Sequence, residues 1–197
     1  MKFLIQSGFL AAFFFINSLL AQGNSHVVFN ENVLNDKVVN ELNLMGNELY
    51  EKTGVFVAAA ISDKTDFNEL LKFKDKLPSP FILLVLSKKS HQLDIIATKE
   101  ALVFFDKEKV LSPYPWSGSI LPLLSSNKAK DQFNAAVLNG YSDIVDQVAS
   151  YFNVKLVHSI GNANRDTLNV LRIGIYGFIC IMALLYIQKK MRRKKNV

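Results

Sequence analysis

Cysteine is nearly absent from this chain. The one thiol, Cys180, lies inside an apolar run near the carboxyl end, so the rest of the sequence offers no disulfide framework, thiol nucleophile or cysteine metal site. Stability must come from packing. Histidine is also sparse: His26, His91 and His158 are too dispersed for any familiar metal-ligand spacing and read as scattered surface residues. There is no Walker motif or dinucleotide fingerprint. No Gly-x-Ser-x-Gly elbow places a nucleophile, and there is no internal repeat, low-complexity tract or Asn-x-Ser/Thr acceptor.

Positive charge is missing from the part of the chain where a nucleic-acid footprint would need it. The formal charge is +6, but Lys2, Arg172 and the tail residues Lys189, Lys190, Arg192, Arg193, Lys194 and Lys195 carry 8 of the 23 basic side chains. Residues 22–167 keep 15 Lys plus Arg against 17 Asp plus Glu, a net −2. A nucleic-acid partner would require basic residues clustered on the folded domain. Here the positive charge lies beside apolar runs instead.

Those runs stand at both ends. Residues 168–188 are almost continuously apolar and are followed at once by the basic tail, 189–197. About 20 such residues cross a hydrocarbon core of roughly 30 Å as a helix, and basic flanks stay cytoplasmic. Arg172 falls one turn into the run, where its long side chain can reach the outer interface. Gly174 and Gly177 are spaced differently from a Gly-x-x-x-Gly helix-contact motif. At the other end, Lys2 precedes an apolar stretch from Phe3 to Leu20 that stops at Ala21-Gln22-Gly23. This pattern predicts a secretory signal, residues 1–21, cleaved between Ala21 and Gln22. Leu19 is not the small side chain such sites prefer, so an uncleaved anchor is the alternative. Either way the reading is a single-pass protein of the cytoplasmic membrane, its bulk periplasmic or extracellular and its carboxyl terminus cytoplasmic.

The exported part has the length of one domain. Val38, Leu42, Met45 and Leu49 recur at helical spacing after the cap candidate Asn35, and Thr53-Gly54 supplies the stop. Val55 to Ile61 is an uninterrupted apolar run, as in a strand covered on both faces. Asp66-Phe67-Asn68-Glu69 has capping-box spacing for a short helix that Pro78 and Pro80 end. Phe81–Leu86 and Gln92–Ala97 predict an antiparallel hairpin, and 128–152 predicts a further helix. The expected architecture is a small α/β/α sandwich with a mixed sheet over 22–152, a linker over 153–167 and one carboxyl-terminal transmembrane helix.

The chain Val27-Val28-Phe29-Asn30-Glu31-Asn32-Val33-Leu34, the junction Tyr50-Glu51-Lys52-Thr53-Gly54-Val55-Phe56-Val57 and the strand Phe81-Ile82-Leu83-Leu84-Val85-Leu86 together resemble the TPM-domain family, in its membrane-anchored bacterial form. The resemblance covers residues 27–152. It implies an exported domain held by carboxyl-terminal membrane segments. For activity it implies either an accessory role beside a membrane protein complex or an acid-phosphatase-like, calcium-binding hydrolase. The chain departs from the family pattern at Asn30, where an Asp is common, and at Ala97-Thr98-Lys99-Glu100-Ala101, where a Gly-rich stretch is expected. Without glycine the backbone loses the freedom that lets it approach an anion, so no catalytic residue carries across.

Two groups of residues remain as site candidates. Asp63, Asp66 and Glu69 follow a buried strand, at the end where open α/β sheets often hold ligands. Their oxygens suit calcium, a hard cation taking 6 to 8 of them; helix capping and first-turn charge are the simpler and preferred account of the same residues. Asp106-Lys107-Glu108, with Glu100, is a second acidic group whose alternating signs read as a solvated helix end. Tyr114 and Trp116 sit in the turn-rich Ser112–Ser119 and offer either a rigid aromatic contact to a partner or a plug for the domain's own core edge.

Overall fold

The computed structural model describes residues 25–125, 131–159, 173–186 and 188. Residues 1–21, expected to be a secretory signal, the expected cleavage residues Ala21 and Gln22, Arg172 and the basic residues of 189–197 lie outside that set. The chain divides into two compact units, Met1–Ser159 and Ile160–Val197.

The first unit is built on a four-stranded mixed sheet. Strands β1 (Val27–Asn30), β2 (Phe56–Ser62) and β3 (Phe81–Ser87) run parallel, and β4 (Gln92–Ala97) returns antiparallel beside β3, in the spatial order β1-β2-β3-β4. β2 and β3 are central, which explains their unbroken apolar sequences: every residue of β2 is buried. A register shift between Val27 and Phe29 breaks the alternation of β1. Val27 packs with one core, while Val28 and Phe29 pack with the other.

The two faces of the sheet are covered unequally. One face carries α1 (Asp36–Thr53) and the long α5 (Gln132–Tyr151), packing Val38, Leu42, Met45 and Leu49 with Val137, Tyr141, Ile144 and Val148 over Val57, Ala59, Ile61, Ile82 and Leu84. The other face is closed by α2 (Phe67–Leu70) and the 3-10 turn Leu71–Lys76, with Leu70 fully buried on Ala58, Ala60 and Val85. Alanines at 58 and 60 let that thin layer approach the sheet.

Local signals explain the helix ends. The Asn35 side chain accepts from the Val38 amide at 2.9 Å, and Gly54, at φ 72°, closes α1 with its amide on the Tyr50 carbonyl. That φ is open to glycine without a Cβ penalty. The Asp66 capping box is not made. Asp66 occupies the cap position, but its side chain forms no cap bond because Lys89 and Ser90 hold it. Asp106, by contrast, caps α3 (Lys107–Val110), accepting from the Lys109 amide at 3.0 Å. The short α4 (Leu121–Leu124) precedes α5.

Polar composition predicts a linker from 153 onward, yet residues 153–159 are held against the domain. Glu48 on α1 accepts from the Val157 amide at 2.6 Å and the His158 amide at 2.8 Å. It also meets His158 Nδ1 at 2.9 Å and Lys52 Nζ at 2.6 Å. Lys52 donates in turn to the Lys155 carbonyl, and Ser159 donates to Asp146 on α5. Burial alone would raise the Glu48 carboxyl, but Lys52, the two amides and the His158 ring outweigh it and bring the pKa down to about 2. A carboxylate receiving this many donors stays charged. The strap is therefore a docked segment.

In the second unit, residues 173–186 are helical and every one is exposed. Among the described residues no helix is long and apolar enough to cross a membrane; the apolar run 168–188 extends beyond them.

Candidate functional site

Because β1, β2 and β3 are parallel, their carboxyl ends fall along one edge of the sheet, the edge where such sheets place ligands. Glu31, just past β1, accepts from Ser62 at the end of β2, from the Lys64 amide at 3.0 Å and from Thr65 Oγ1 at 3.3 Å. The Ser62 bond, then the Lys64 amide, lower the Glu31 pKa. A serine against a carboxylate has the composition of a nucleophile and its base. Ser62 is fully buried, however, and its oxygen also receives the Lys64 and Thr65 amides. The pair ties a turn, and its serine is closed to substrate.

The β3 end repeats the device. Ser87 Oγ donates to the Thr65 carbonyl at 2.8 Å and accepts from the Ser90 amide at 3.1 Å. Beyond it, Lys88 pairs with Asp63 and Lys89 with Asp66, each at 2.6 Å. The Lys89 bond lowers the Asp66 pKa, and Asp66 raises that of Lys89. Asp63 and Asp66 are thus each engaged by a lysine. Among the described residues no group of three or more His, Cys, Asp or Glu is placed to hold a metal ion.

Beside this edge opens a cavity of about 450 Å³, within the range of small-ligand pockets. Leu86, Leu93, Leu121 and Phe133 supply its apolar lining, and Asp63, Lys88, Lys89 and His91 its polar one. Lys88 also lies 4.8 Å from the centre of the Phe133 ring, a cation–π geometry. His91 takes φ 50° in the hairpin turn, a left-handed conformation uncommon outside glycine. The arrangement suits a compact ligand with an apolar body and a polar end.

A second polar cluster lies inside the domain. His26 is fully buried, against the expectation of a surface residue, since the sequence before β1 carries it under α1. Its amide donates to Asn43 Oδ1 at 2.7 Å, its ring stacks on Phe56 at 4.4 Å, and Nδ1 lies 2.6 Å from the Val57 carbonyl. That carbonyl can only accept, so Nδ1 carries the proton. Tyr141 Oη donates to the same carbonyl at 2.9 Å. Gly46 makes the room: a Cβ there would sit 2.4 Å from both His26 Cγ and Tyr141 Oη. Burial lowers the His26 pKa despite the bond to Val57, and burial raises that of Tyr141.

Tyr114 and Trp116 do not plug the core. They stack on each other at 5.0 Å with their planes 16° apart, and Trp116 is 77% exposed. The loop under them is fixed. The Gly118 amide donates to the Tyr114 carbonyl at 2.7 Å, and a Cβ on Gly118 would collide with the Ser112 carbonyl. Ser119 donates to Asp143 on α5, Asn139 donates to the Ser119 carbonyl at 2.7 Å, and Ile120 fills the notch left by Gly140. The turn-rich spelling of Ser112–Ser119 predicts an ordered surface loop, and the exposure of Tyr114 and Trp116 agrees with it.

No protein-family model and no curated protein matches the chain.

Proposed function

We propose that this chain is a membrane-anchored, exported domain of TPM-like type that serves as a binding or accessory module for a membrane protein complex. In this reading the domain is an α/β/α sandwich outside the cytoplasmic membrane, 168–188 is the anchor and the basic tail is cytoplasmic. The observation that carries the binding role is the exposed Tyr114–Trp116 stack on a buttressed loop. Aromatic side chains held rigidly in this way lose little entropy on contact and are enriched at binding hot spots. The anchor is supported by the helical 173–186, where Ile175, Tyr176, Phe178, Ile179, Ile181 and Met182 are all exposed; a helix apolar on every side requires an apolar surrounding.

A photo-crosslinking residue at Trp116 in membranes of the native host tests the module. One discrete adduct, lost when Tyr114→Ala is added, is expected; no adduct above that of a distant exposed site such as Glu51 would sink it. Topology is read with a reporter enzyme active only outside the cytoplasm, which should work when fused after Asn164 and fail after Val197. Turnover of a phosphoester by the full chain, abolished by Asp63→Ala, would instead establish the hydrolase. A rise in melting temperature on adding calcium, as expected for a ligand bound by the folded state alone, would point the same way.

A further inference from the structure

We infer that Leu102, Val103, Tyr151 and Phe152 form a lipid-contacting patch, with which the domain rests on the headgroup–acyl boundary of the bilayer that anchors it. The inference rests on the membrane-anchored reading above and adds a second contact to it.

The patch has a rigid base. Phe104 is half-buried and packed on the main core, and its ring centre lies 4.9 Å from Tyr151 and 4.9 Å from Phe152, which are 5.3 Å apart. These three rings brace one another at the carboxyl end of α5, where Phe152 caps the helix. Yet Tyr151 is 55% exposed, Val103 66% and Leu102 47%. Leu102 and Val103 adjoin Phe104 in the chain, and exposed apolar side chains gathered around one ring cluster mark an interaction site.

Chemistry favours lipid over a charged protein surface. The residues flanking Leu102–Phe104 in sequence are Lys99 and Glu100 on one side, Asp106 and Lys107 on the other, so their charges cancel. The exposed side chains are aromatic and aliphatic, and tyrosine at the edge is the residue type that occupies the membrane–water interface, apolar body in and hydroxyl out.

Chain path supplies the second argument. After Phe152 the strap folds back along α1 and reaches Asp146 at Ser159. Asp146 precedes Tyr151 by five positions on one helix, about 8 Å along its axis at 1.5 Å per residue. The described domain thus ends at Ser159 on the Asp146 side of that helix, about 140° around the axis from Tyr151 at 3.6 residues per turn, and residues 160–167 alone separate Ser159 from the apolar run beginning at Leu168. So short a tether holds the patch at high effective concentration near any bilayer that takes up the run. A shallow contact of roughly 5–10 Å depth is then enough.

The chain's single tryptophan makes the test clean. Full-length protein carrying Trp116→Phe and Tyr151→Trp, placed in lipid nanodiscs with and without acyl-chain bromination near the headgroup, should lose most of its emission in the brominated discs and show a blue-shifted spectrum. Val103→Trp in the same background should behave alike, and serves where Tyr151→Trp alters the far-ultraviolet circular dichroism. Unquenched emission from both reporters overturns the patch, as does a crosslink through position 151 to a second copy without quenching. Co-elution of protein and disc reads the anchor separately: failure to co-elute removes both readings, whereas co-elution without quenching removes the patch alone.

Discussion

At the amino ends of β1 and β2, His26 and Tyr141 share one carbonyl and neither reaches water. At the carboxyl ends, Lys88 and Asp63 pair on the wall of an open cavity, and Lys89, on the same wall, pairs with Asp66. Both ends are polar, and the residue types alone would make either a candidate site. The difference is burial. Inside, each donor is committed to one acceptor in a low-dielectric setting, so the cluster rigidifies the domain. Outside, the ion pairs are screened and exchangeable, and such pairs add little to stability. A polar cluster is available for binding only where its partners can be exchanged for a ligand's.

The largest break of that contrast should come from Gly46→Ala. Its Cβ would overlap both buried rings, and overpacking of this kind costs about 1–3 kcal/mol. Urea unfolding followed by circular dichroism should show a lower midpoint, and an unchanged midpoint would mean the corner is loosely packed. Tyr141→Phe removes one of the two donors to Val57 while keeping the ring. It should cost about 1 kcal/mol by the same measurement.

The buried corner also makes a pH signature. The His26 pKa is lowered by folding, so the unfolded state binds the proton more readily. Stability is then fully present above the ordinary histidine value of 6.5 and falls as pH drops below it. The pH dependence of the melting temperature should show this decline, and His26→Phe should flatten it; an identical slope in the variant would remove the assignment. Glu48, lowered to about 2 from 4.5, follows the same sign over a more acidic window. Its contribution is present above 4.5 and lost as pH falls toward 2.

Local and exposed changes should do less. Glu48→Gln weakens the clasp on the strap, so the Val157 and His158 amides should exchange hydrogen much faster while the sheet amides keep their protection. Equal protection in both proteins would show that the strap is held by other contacts. Smallest of all, Asp66→Asn at the open edge should leave the melting temperature unchanged within error, because its partner Lys89 is exposed and solvated. A clear loss there would erase the distinction between the two ends.

Much of the fold was legible locally. Asn35 and Gly54 bracket α1 through their own side chain and φ, the hairpin follows from two apolar runs around a polar turn, and continuous apolar runs marked β2 and β3 as buried strands, whose central places in the sheet came from the structure. Three features were not. The Asp66 capping box fails because a lysine and a serine from the β3–β4 turn compete for the carboxylate. His26 looked like a stray surface residue because the pocket that buries it is assembled from Phe56, Gly46 and Tyr141, far apart in sequence. The polar strap 153–159 lacks any hydrophobic period, yet two backbone amides and a lysine converge on Glu48.

The amino-acid sequence by itself determined the periodic elements, their order, the apolar runs at both ends and the separation of basic tail from mildly acidic domain, since each depends on neighbours within a turn or a strand. Only the tertiary structure decided which polar groups are sealed, which aromatic residues stay in water and where the chain leaves the domain. Exposure and hydrogen-bond partnership are set by residues brought from elsewhere in the chain, and no local pattern encodes them.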